Sequence, residues 1–315
     1  MHDKDLLAKE FETHRAHLRS VAYRMLGSLA EADDVVQEAW LRYSRTDTRD
    51  VENIAAWLTT VVSRLCLDTL RSRRSRREDL LGAGAPRGGD GGTPADYVPM
   101  PDPIISREDD VDPERQALLA DSVGLALLVV LETLPPAERL ALVLHDMFGM
   151  SFDEIAPIVG RSSTAARKLA SRARHRVQGS ETPVPDADRG RQREVVEAFY
   201  AASRRGDFEA LVAVLDPDVV LRNDAGPTAA GSHVLRGAET VGRQAFMFRE
   251  GARWIRPALV NGQVGAVVTP HGQLVAVMAF TVVDGRIVAI DALSDPERLA
   301  AIDLTVLDDP DDPGV

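Results

Sequence analysis

The side chains with the clearest chemistry form two basic clusters, one between residues 64 and 77 and the other between residues 161 and 176. Arginine outnumbers lysine 34 to 3 in the whole chain, and its planar guanidinium group suits phosphate oxygens and guanine edges. A GC-rich genome would give the same arginine bias, so both explanations carry equal weight. The clusters make nucleic acid a candidate ligand, although the chain has a net charge of −12.

A capped pair of helices carries the second basic cluster. Ser151 and Glu154 form a Ser-x-x-Glu capping box, which predicts the start of a helix, and Gly160 predicts its end. Small hydroxyl residues at 162–164 then cap a second helix, and this cluster contains no acidic residue. The pattern predicts a helix-turn-helix whose second helix enters a DNA major groove. The alternative is a solvated basic helix in a plain helical bundle.

The second helix of this pair is predicted to bury Leu169, Ala173 and Val177. Its other side chains then form an open face toward DNA. The predicted DNA-binding residues of the helix and its cap are Ser162, Ser163, Thr164, Arg167, Lys168, Ser171, Arg172 and Arg174. Pro157 lacks a backbone donor, and we expect it to kink the first helix.

Composition divides the chain into three folded blocks. The patterns of residues 1–78 and 114–178 are typical of helices, whereas residues 191–300 begin with two helices and continue as alternating strands. Three other stretches are rich in Gly, Pro or acidic residues and are predicted to be a flexible linker, a short linker and a disordered tail: 79–113, 179–190 and 301–315. The predicted fold class is multidomain, with two all-α domains and one α+β domain.

Local motifs predict the elements that position the clusters. Ser28 opens a second capping box before a helix through Tyr43, and a third helix runs from Ile54 to about Arg74. In the last block, Asp284-Gly285 joins two alternating stretches and predicts a β-hairpin.

Composition also disfavours several classes of protein. The single cysteine, Cys66, rules out an internal disulfide and fits a reducing cytoplasm. The apolar stretch 123–131 is far shorter than the roughly 20 residues of a membrane span. His14 and His17 lack Cys or carboxylate companions, so no metal site is predicted. We expect a cytoplasmic protein with no cofactor and no membrane contact.

Residues 134–177 resemble the promoter-binding helix-turn-helix domain of bacterial sigma factors. The run Asp34-Val35-Val36-Gln37-Glu38-Ala39 is similar to the sigma-factor motif that packs on the clamp helices of RNA polymerase. Ala56-Trp57-Leu58, followed by an arginine-bearing helix, resembles the promoter-melting region. The two matched regions occur in the expected order and separation, and their compact size is typical of the extracytoplasmic-function group.

This resemblance implies a sigma factor that binds core RNA polymerase and promoter DNA and directs promoter recognition, DNA opening and transcription initiation. It implies polymerase contacts by Asp34, Gln37 and Glu38, which share one helix face. It also implies contacts with promoter phosphates near the minus-10 element by Arg64, Arg71, Arg73 and Arg74. The loop 45–53 occupies the place where this group captures a flipped base, and Trp57 is expected to be a core anchor.

Residues 191–300 resemble the SnoaL-like branch of the nuclear-transport-factor-like cone fold, which a subgroup of these sigma factors carries as an extension. Motifs of that subgroup appear in altered form at residues 97–103, 223–227 and 295–299. The resemblance implies regulation in cis and an unidentified small ligand in the cone. This fold also hosts enzymes, but no acid and base pair stands out, so no catalytic residue is predicted and no enzyme is expected.

Two other classes stay open at this point. A conventional helix-turn-helix regulator would bind operator DNA without polymerase, and it would leave the motif at 34–39 unexplained. A DNA-binding module fused to a small-molecule-binding or cyclase-like enzyme domain would show turnover by residues 191–300.

Overall fold

The computed structural model describes residues 2–46, 51–82, 99–107, 124–179, 185–186, 188–226 and 232–307. Its contacts group the chain into two compact units. Unit one comprises Met1–Pro86, Asp112–Asp121 and Val130–Glu181, and unit two comprises Arg87–Val111, Ser122–Val129 and Thr182–Val315. Within the described ranges, no helix combines the length and the apolarity that are needed to cross a lipid bilayer.

Three helices form the first part of unit one: α1 (His2–Leu26), α2 (Leu29–Tyr43) and α3 (Ile54–Gly82). Their apolar stripes meet in a core in which Leu18, Val36 and Leu58 are almost completely buried. The predicted cap of α2 is confirmed, because the Ser28 hydroxyl accepts a hydrogen bond from the Glu31 amide. The third helix begins at the predicted residue, Ile54, and continues beyond the predicted end near Arg74 to Gly82.

The second helical group contains α4 (Leu125–Thr133), α5 (Pro136–Leu142), a π-helical segment (Val143–Met147), α6 (Phe152–Val159) and α7 (Ser163–Gly179). Pro136 starts α5, where a proline sacrifices no helical hydrogen bond. Arg139 is almost fully buried in this group and pairs with Glu132 at an N–O distance of 2.8 Å. Its burial is tolerated because the charge is paired.

The helix-turn-helix region packs on the first three helices within unit one. The Arg139 guanidinium donates to the Arg24 carbonyl oxygen over 3.1 Å, and the Arg24 guanidinium lies 5.0 Å from the centre of the Phe148 ring. Arg64 of α3 donates to the Pro157 carbonyl oxygen over 3.4 Å. Two blocks that the sequence analysis treated as separate therefore share contacts.

Unit two has the predicted α+β architecture. Its helices are α8 (Arg189–Arg205), α9 (Phe208–Ala213), α10 (Ala238–Met247) and α11 (Pro296–Leu299). Its strands are β1 (Ile105–Ser106), β2 (Leu215–Asp224), β3 (His233–Arg236), β4 (Ile255–Val260), β5 (Gln263–Val268), β6 (Ala276–Val283) and β7 (Arg286–Leu293). They form one sheet in the order β1-β4-β5-β6-β7-β2-β3, in which β2 and β7 are parallel and the other pairs antiparallel.

Aromatic packing fixes α8 on this sheet. The rings of Phe199 and Tyr200 lie 5.7 and 5.5 Å from the ring of Phe280 on β6. The predicted hairpin is confirmed, since Asp284 and Gly285 both have positive φ angles, 52° and 74°, as a tight turn between β6 and β7 requires.

Residues 99–107 differ from the flexible linker that was predicted over 79–113. β1 pairs with β4 so that Ile105 lies opposite Val260, and both residues are buried. The prediction is wrong for this stretch because its prolines and the shortness of β1 conceal an edge strand. The predicted tail also begins in ordered structure, since Thr305–Leu307 forms a 3₁₀ turn. The other parts of these predicted connections that lie outside the described residues are 83–98, 108–113, 180–184, 187 and 308–315.

Candidate functional site

The helix-turn-helix has the caps that the sequence predicted. The Ser151 hydroxyl accepts from the Glu154 amide over 3.3 Å, and the Glu154 carboxylate accepts from the Ser151 amide over 2.9 Å. The hydrogen bonds from Ser151 lower the pKa of the Glu154 carboxyl group. Gly160 ends α6 with a left-handed φ of 66°, and Pro157 lies inside α6 without dividing it.

Small residues attach α7 to its neighbours. Ala166, Ala170 and Ala173 are completely buried, whereas Leu169 and Val177 are half-buried. The predicted buried stripe therefore has the correct direction, but alanines form its centre and let the helices approach closely. The opposite face exposes Thr164, Arg167, Lys168, Ser171 and Arg172.

Neighbouring side chains hold some of the predicted DNA-binding residues. Arg174 donates two hydrogen bonds to the Asp146 carboxylate, over 2.6 and 2.7 Å. The Arg167 guanidinium lies 5.4 Å from the centre of the Phe152 ring. The Ser163 hydroxyl donates to the Asp153 carboxylate. These contacts orient the side chains within the motif.

The remaining predicted residues of α7 divide into a cap and an open group. Ser162 accepts from the Ala165 amide over 3.3 Å and so caps the helix. Arg172 lies 3.8 Å from Glu138 but leaves 61% of its side chain exposed. Lys168 and Ser171 are exposed beside it. We call Lys168, Ser171 and Arg172 the open group of α7, because their exposed side chains are accessible to another molecule.

The four arginines of α3 do not share one orientation. The Arg73 guanidinium binds the Glu31 carboxylate and donates to the Leu26 carbonyl oxygen over 3.0 Å. These donors join α3 to α1 and α2, whereas the resemblance implied that Arg73 contacts promoter phosphate. Arg71 and Arg74 are exposed, and Arg64 is exposed near Pro157 as described above.

The acidic face of α2 is open to solvent. Asp34 and Gln37 are exposed, whereas the half-buried Glu38 accepts from the Arg42 guanidinium over 2.9 Å. One turn beyond Gln37 and two turns beyond Asp34, Leu41 leaves 38% of its surface exposed. The face that exposes Asp34 and Gln37 thus also carries one exposed apolar side chain.

The region proposed to capture a flipped base is described in part, since residues 47–50 of the loop 45–53 lie outside the described residues. At its end, the Asn53 side chain accepts from the Ala56 amide over 3.0 Å and caps α3. The half-buried Trp57 ring lies 6.0 Å from the Tyr43 ring, a contact consistent with an anchoring role.

Three altered motifs of the sequence meet in unit two, which sequence reasoning did not foresee. The Arg298 guanidinium donates to the carboxylates of Asp224 and Asp102, over 2.8 and 2.7 Å. It also donates to the Met100 carbonyl oxygen over 2.6 Å, and Asp224 accepts from the Met100 amide over 2.9 Å. We call Asp102, Asp224 and Arg298 the linker clamp, because they fix residues 99–107 to the C-terminal domain.

Two buried ionisable groups outside the clamp, Asp291 and Cys66, are enclosed by the protein interior. Asp291 is 2% exposed and pairs with Arg222 at 3.0 Å, and burial raises the pKa of the Asp291 carboxyl group. Cys66 is completely buried, which raises the pKa of its thiol to about 12. A thiol with that pKa is inert at neutral pH.

Comparisons with known proteins agree with this geometry. The Sigma-70 region 2 family model matches residues 11–76, and the Sigma-70, region 4 model matches residues 124–177. The ECF RNA polymerase sigma factor SigJ of Mycobacterium tuberculosis is 37% identical over 304 residues, which cover 92% of this chain and 92% of SigJ. The probable ECF RNA polymerase sigma factor SigI of that species is 33% identical, over 95% of this chain and 97% of SigI.

The crystal structure of SigJ from M. tuberculosis matches 93% of this chain and 98% of its own, with a TM-score of 0.71 and 35% identity. This match confirms the predicted fold class, with two helical sigma domains followed by an α+β domain. The high coverage in both directions shows that the relationship includes the C-terminal extension. The chain belongs to the extracytoplasmic-function sigma factors of RNA polymerase, which are transcription initiation factors and not enzymes.

Proposed function

We propose that residues 1–78 bind core RNA polymerase and open the minus-10 element, while residues 114–178 read the minus-35 element. The main support is that α2 and α7, each in its matched sigma region, expose an acidic and a basic face, respectively. An acidic face suits a basic protein surface, and a basic helix suits DNA. The protein would act in the cytoplasm, where transcription takes place.

The open group of α7 supports the assignment of promoter reading. Lys168, Ser171 and Arg172 follow helical spacing on one exposed side. Arginine, lysine and serine are all donors to base edges or phosphates. Arg167 and Arg174 would take supporting positions, because Phe152 and Asp146 fix their directions.

The exposed face of α2 supports the assignment of polymerase binding. Leu41 supplies an apolar contact, and Asp34 and Gln37 supply polar contacts around it. Glu38 would act mainly by holding Arg42 in place.

The test is a pull-down of purified core RNA polymerase with the full chain. Asp34→Arg combined with Gln37→Ala should weaken binding about tenfold or more, because residues central to an interface dominate its affinity. Glu12→Arg makes the same charge change on α1, where Glu12 is exposed and pairs with Arg15, and it should bind like the wild type. Wild-type binding by the double variant would contradict the assignment of α2.

We also propose that the C-terminal domain regulates transcription in cis through the linker clamp and through a small ligand. The clamp joins the C-terminal domain to chain that lies between the two sigma regions. Any change in how the clamp holds residues 99–107 therefore acts on the connection between promoter-reading and polymerase-binding regions.

Asp102→Asn tests this regulation with little effect on packing. It keeps the shape of the side chain but weakens two hydrogen bonds from Arg298. We expect promoter-dependent transcription in vitro to change while core polymerase binding stays constant. Glu239→Gln, on the exposed surface of α10, is the matched neutralisation. Equal transcription by both variants and the wild type would contradict regulation through the clamp.

A further inference from the structure

A buried carboxylate faces two arginines of α7. Glu138 belongs to the first turn of α5, and only 6% of its side chain is exposed. Its Oε2 atom lies 3.0 Å from Nη1 of Arg176, and its Oε1 atom lies 3.8 Å from Nη1 of Arg172. A buried carboxylate needs cations close by to offset the loss of its hydration. Both cations here come from the helix that is proposed to read the minus-35 element.

The two arginines are held from one side. Arg172 and Arg176 leave 61% and 53% of their side chains exposed, and they lie one turn apart on α7. Nε of Arg172 also donates to the Lys168 carbonyl oxygen over 3.4 Å. Two of its three nitrogens thus face the protein, and within the described residues no acceptor of this chain contacts Nη2. That amino group remains accessible to an acceptor on another molecule.

This arrangement restrains the direction of Arg172. A free arginine side chain populates many rotamers, and ordering it on binding costs free energy. The ion pair with Glu138 and the bond to Lys168 reduce that cost before DNA binds. An oriented guanidinium group can donate to the O6 and N7 atoms of guanine and so distinguish bases, whereas a phosphate contact carries no sequence information.

We propose that Glu138 is a positioning residue that directs Arg172 toward a base edge of the minus-35 element. This inference rests on the proposed reading of that element by residues 114–178 and names a residue that makes the reading selective. Glu138 acts through the arginine, because its own carboxylate is buried against α7. Its loss should therefore reduce the preference for the correct sequence more than the total affinity for DNA.

Competition binding by the holoenzyme tests the role of Glu138. The full chain is assembled with core RNA polymerase, and the wild-type holoenzyme selects a duplex from a random-sequence library. The measured quantity is the ratio of the affinities for that duplex and for the same duplex with its minus-35 element scrambled. Glu138→Gln keeps the shape of the side chain and should lower this ratio about tenfold, the size expected for one oriented pair of arginine and guanine. Both affinities come from one preparation, so a smaller folded fraction changes them equally.

Glu132→Gln is the matched control. Glu132 is a second carboxylate of the same helical group, it is 10% exposed, and it pairs with Arg139 at 2.8 Å. Neither Glu132 nor Arg139 lies on α7. The control should lower the free energy of unfolding and leave the affinity ratio at the wild-type value. A tenfold fall of the ratio in the control as well would show that the ratio follows stability, and it would overturn the proposal.

A second variant identifies the arginine through which Glu138 acts. Arg172→Lys keeps the charge and removes the planar fork, so it should lower the ratio about as much as Glu138→Gln. The two substitutions combined should lower it no further, because they remove the same contact. An additional tenfold fall in the combined variant would overturn the proposal. A wild-type ratio for Arg172→Lys would do the same, even if Glu138→Gln does not fold.

The same titrations separate this inference from the proposed function. A wild-type holoenzyme that prefers no minus-35 sequence would remove the proposed function and, with it, the role of Glu138. A wild-type preference that survives Glu138→Gln would remove the role of Glu138 alone. Equal loss of affinity for the two duplexes in Arg172→Lys would assign this arginine to phosphate and overturn the proposal.

Discussion

The open face of α7 and the linker clamp are both clusters of charge, but they differ in where the charge is directed. On α7, Lys168 and Arg172 remain exposed to solvent. In the clamp, Asp224 is 3% exposed, and Arg298 is shared among three acceptors. Burial and hydrogen-bond partners, rather than residue type, distinguish charge that is accessible to another molecule from charge that holds the fold.

Among the substitutions that test this difference, Arg298→Gln is expected to have the largest effect on the free energy of unfolding. The substitution leaves the buried Asp224 carboxylate without its cation, and breaking one partner of a buried pair costs about 3 kcal/mol. We expect urea unfolding to show that loss in unit two and limited proteolysis to cleave near residues 99–107. Promoter DNA binding by α7 should not change directly.

Arg243→Gln is the matched control for the clamp. Arg243 is exposed and pairs with Glu239 on one helix at 3.4 Å, so its loss should change the free energy of unfolding by about 0.5 kcal/mol or less. Equal destabilisation by the two substitutions would show that the clamp is an ordinary surface pair.

A smaller difference in the free energy of unfolding is expected between substitutions of two arginines on α3, Arg73 and Arg71. Arg73→Gln removes hydrogen bonds to Glu31 and to the Leu26 carbonyl oxygen and should lower the free energy of unfolding by about 1–2 kcal/mol. Arg71→Gln, at an exposed position that lies 3.6 Å from Asp68, should leave stability unchanged.

Promoter binding, unlike stability, should be affected by Arg71→Gln and not by Arg73→Gln. With polymerase bound, Arg71→Gln should reduce the slope of log affinity against log salt by about 1, as loss of one phosphate contact predicts. Arg73→Gln should keep the wild-type slope. A reduced slope for Arg73→Gln alone would mean that this side chain leaves Glu31 to bind DNA.

Short-range chemistry made much of the helix-turn-helix predictable from sequence. The capping box of Ser151 and Glu154, the left-handed Gly160 and the turn at Asp284-Gly285 all depend on residues within four positions of one another. The same locality explains why the exposed face of α2 could be read from helical spacing.

Long-range contacts explain what sequence reasoning missed. Asp102 and Arg298 are 196 residues apart, and no local pattern indicates that they meet. Arg73 looks like its neighbours in sequence, but its position on α3 turns it toward Glu31.

The pairing of β1 with β4 has a consequence for self-association. β4 is next to last in the sheet order, and β1 covers the end of it at Leu259 and Val260. An uncovered strand edge offers free amide and carbonyl groups to another chain. A fragment that starts at residue 191 would lack β1, so it should aggregate more readily than one that retains residues 99–107. Light scattering of the two fragments would reveal this protective role of the edge strand.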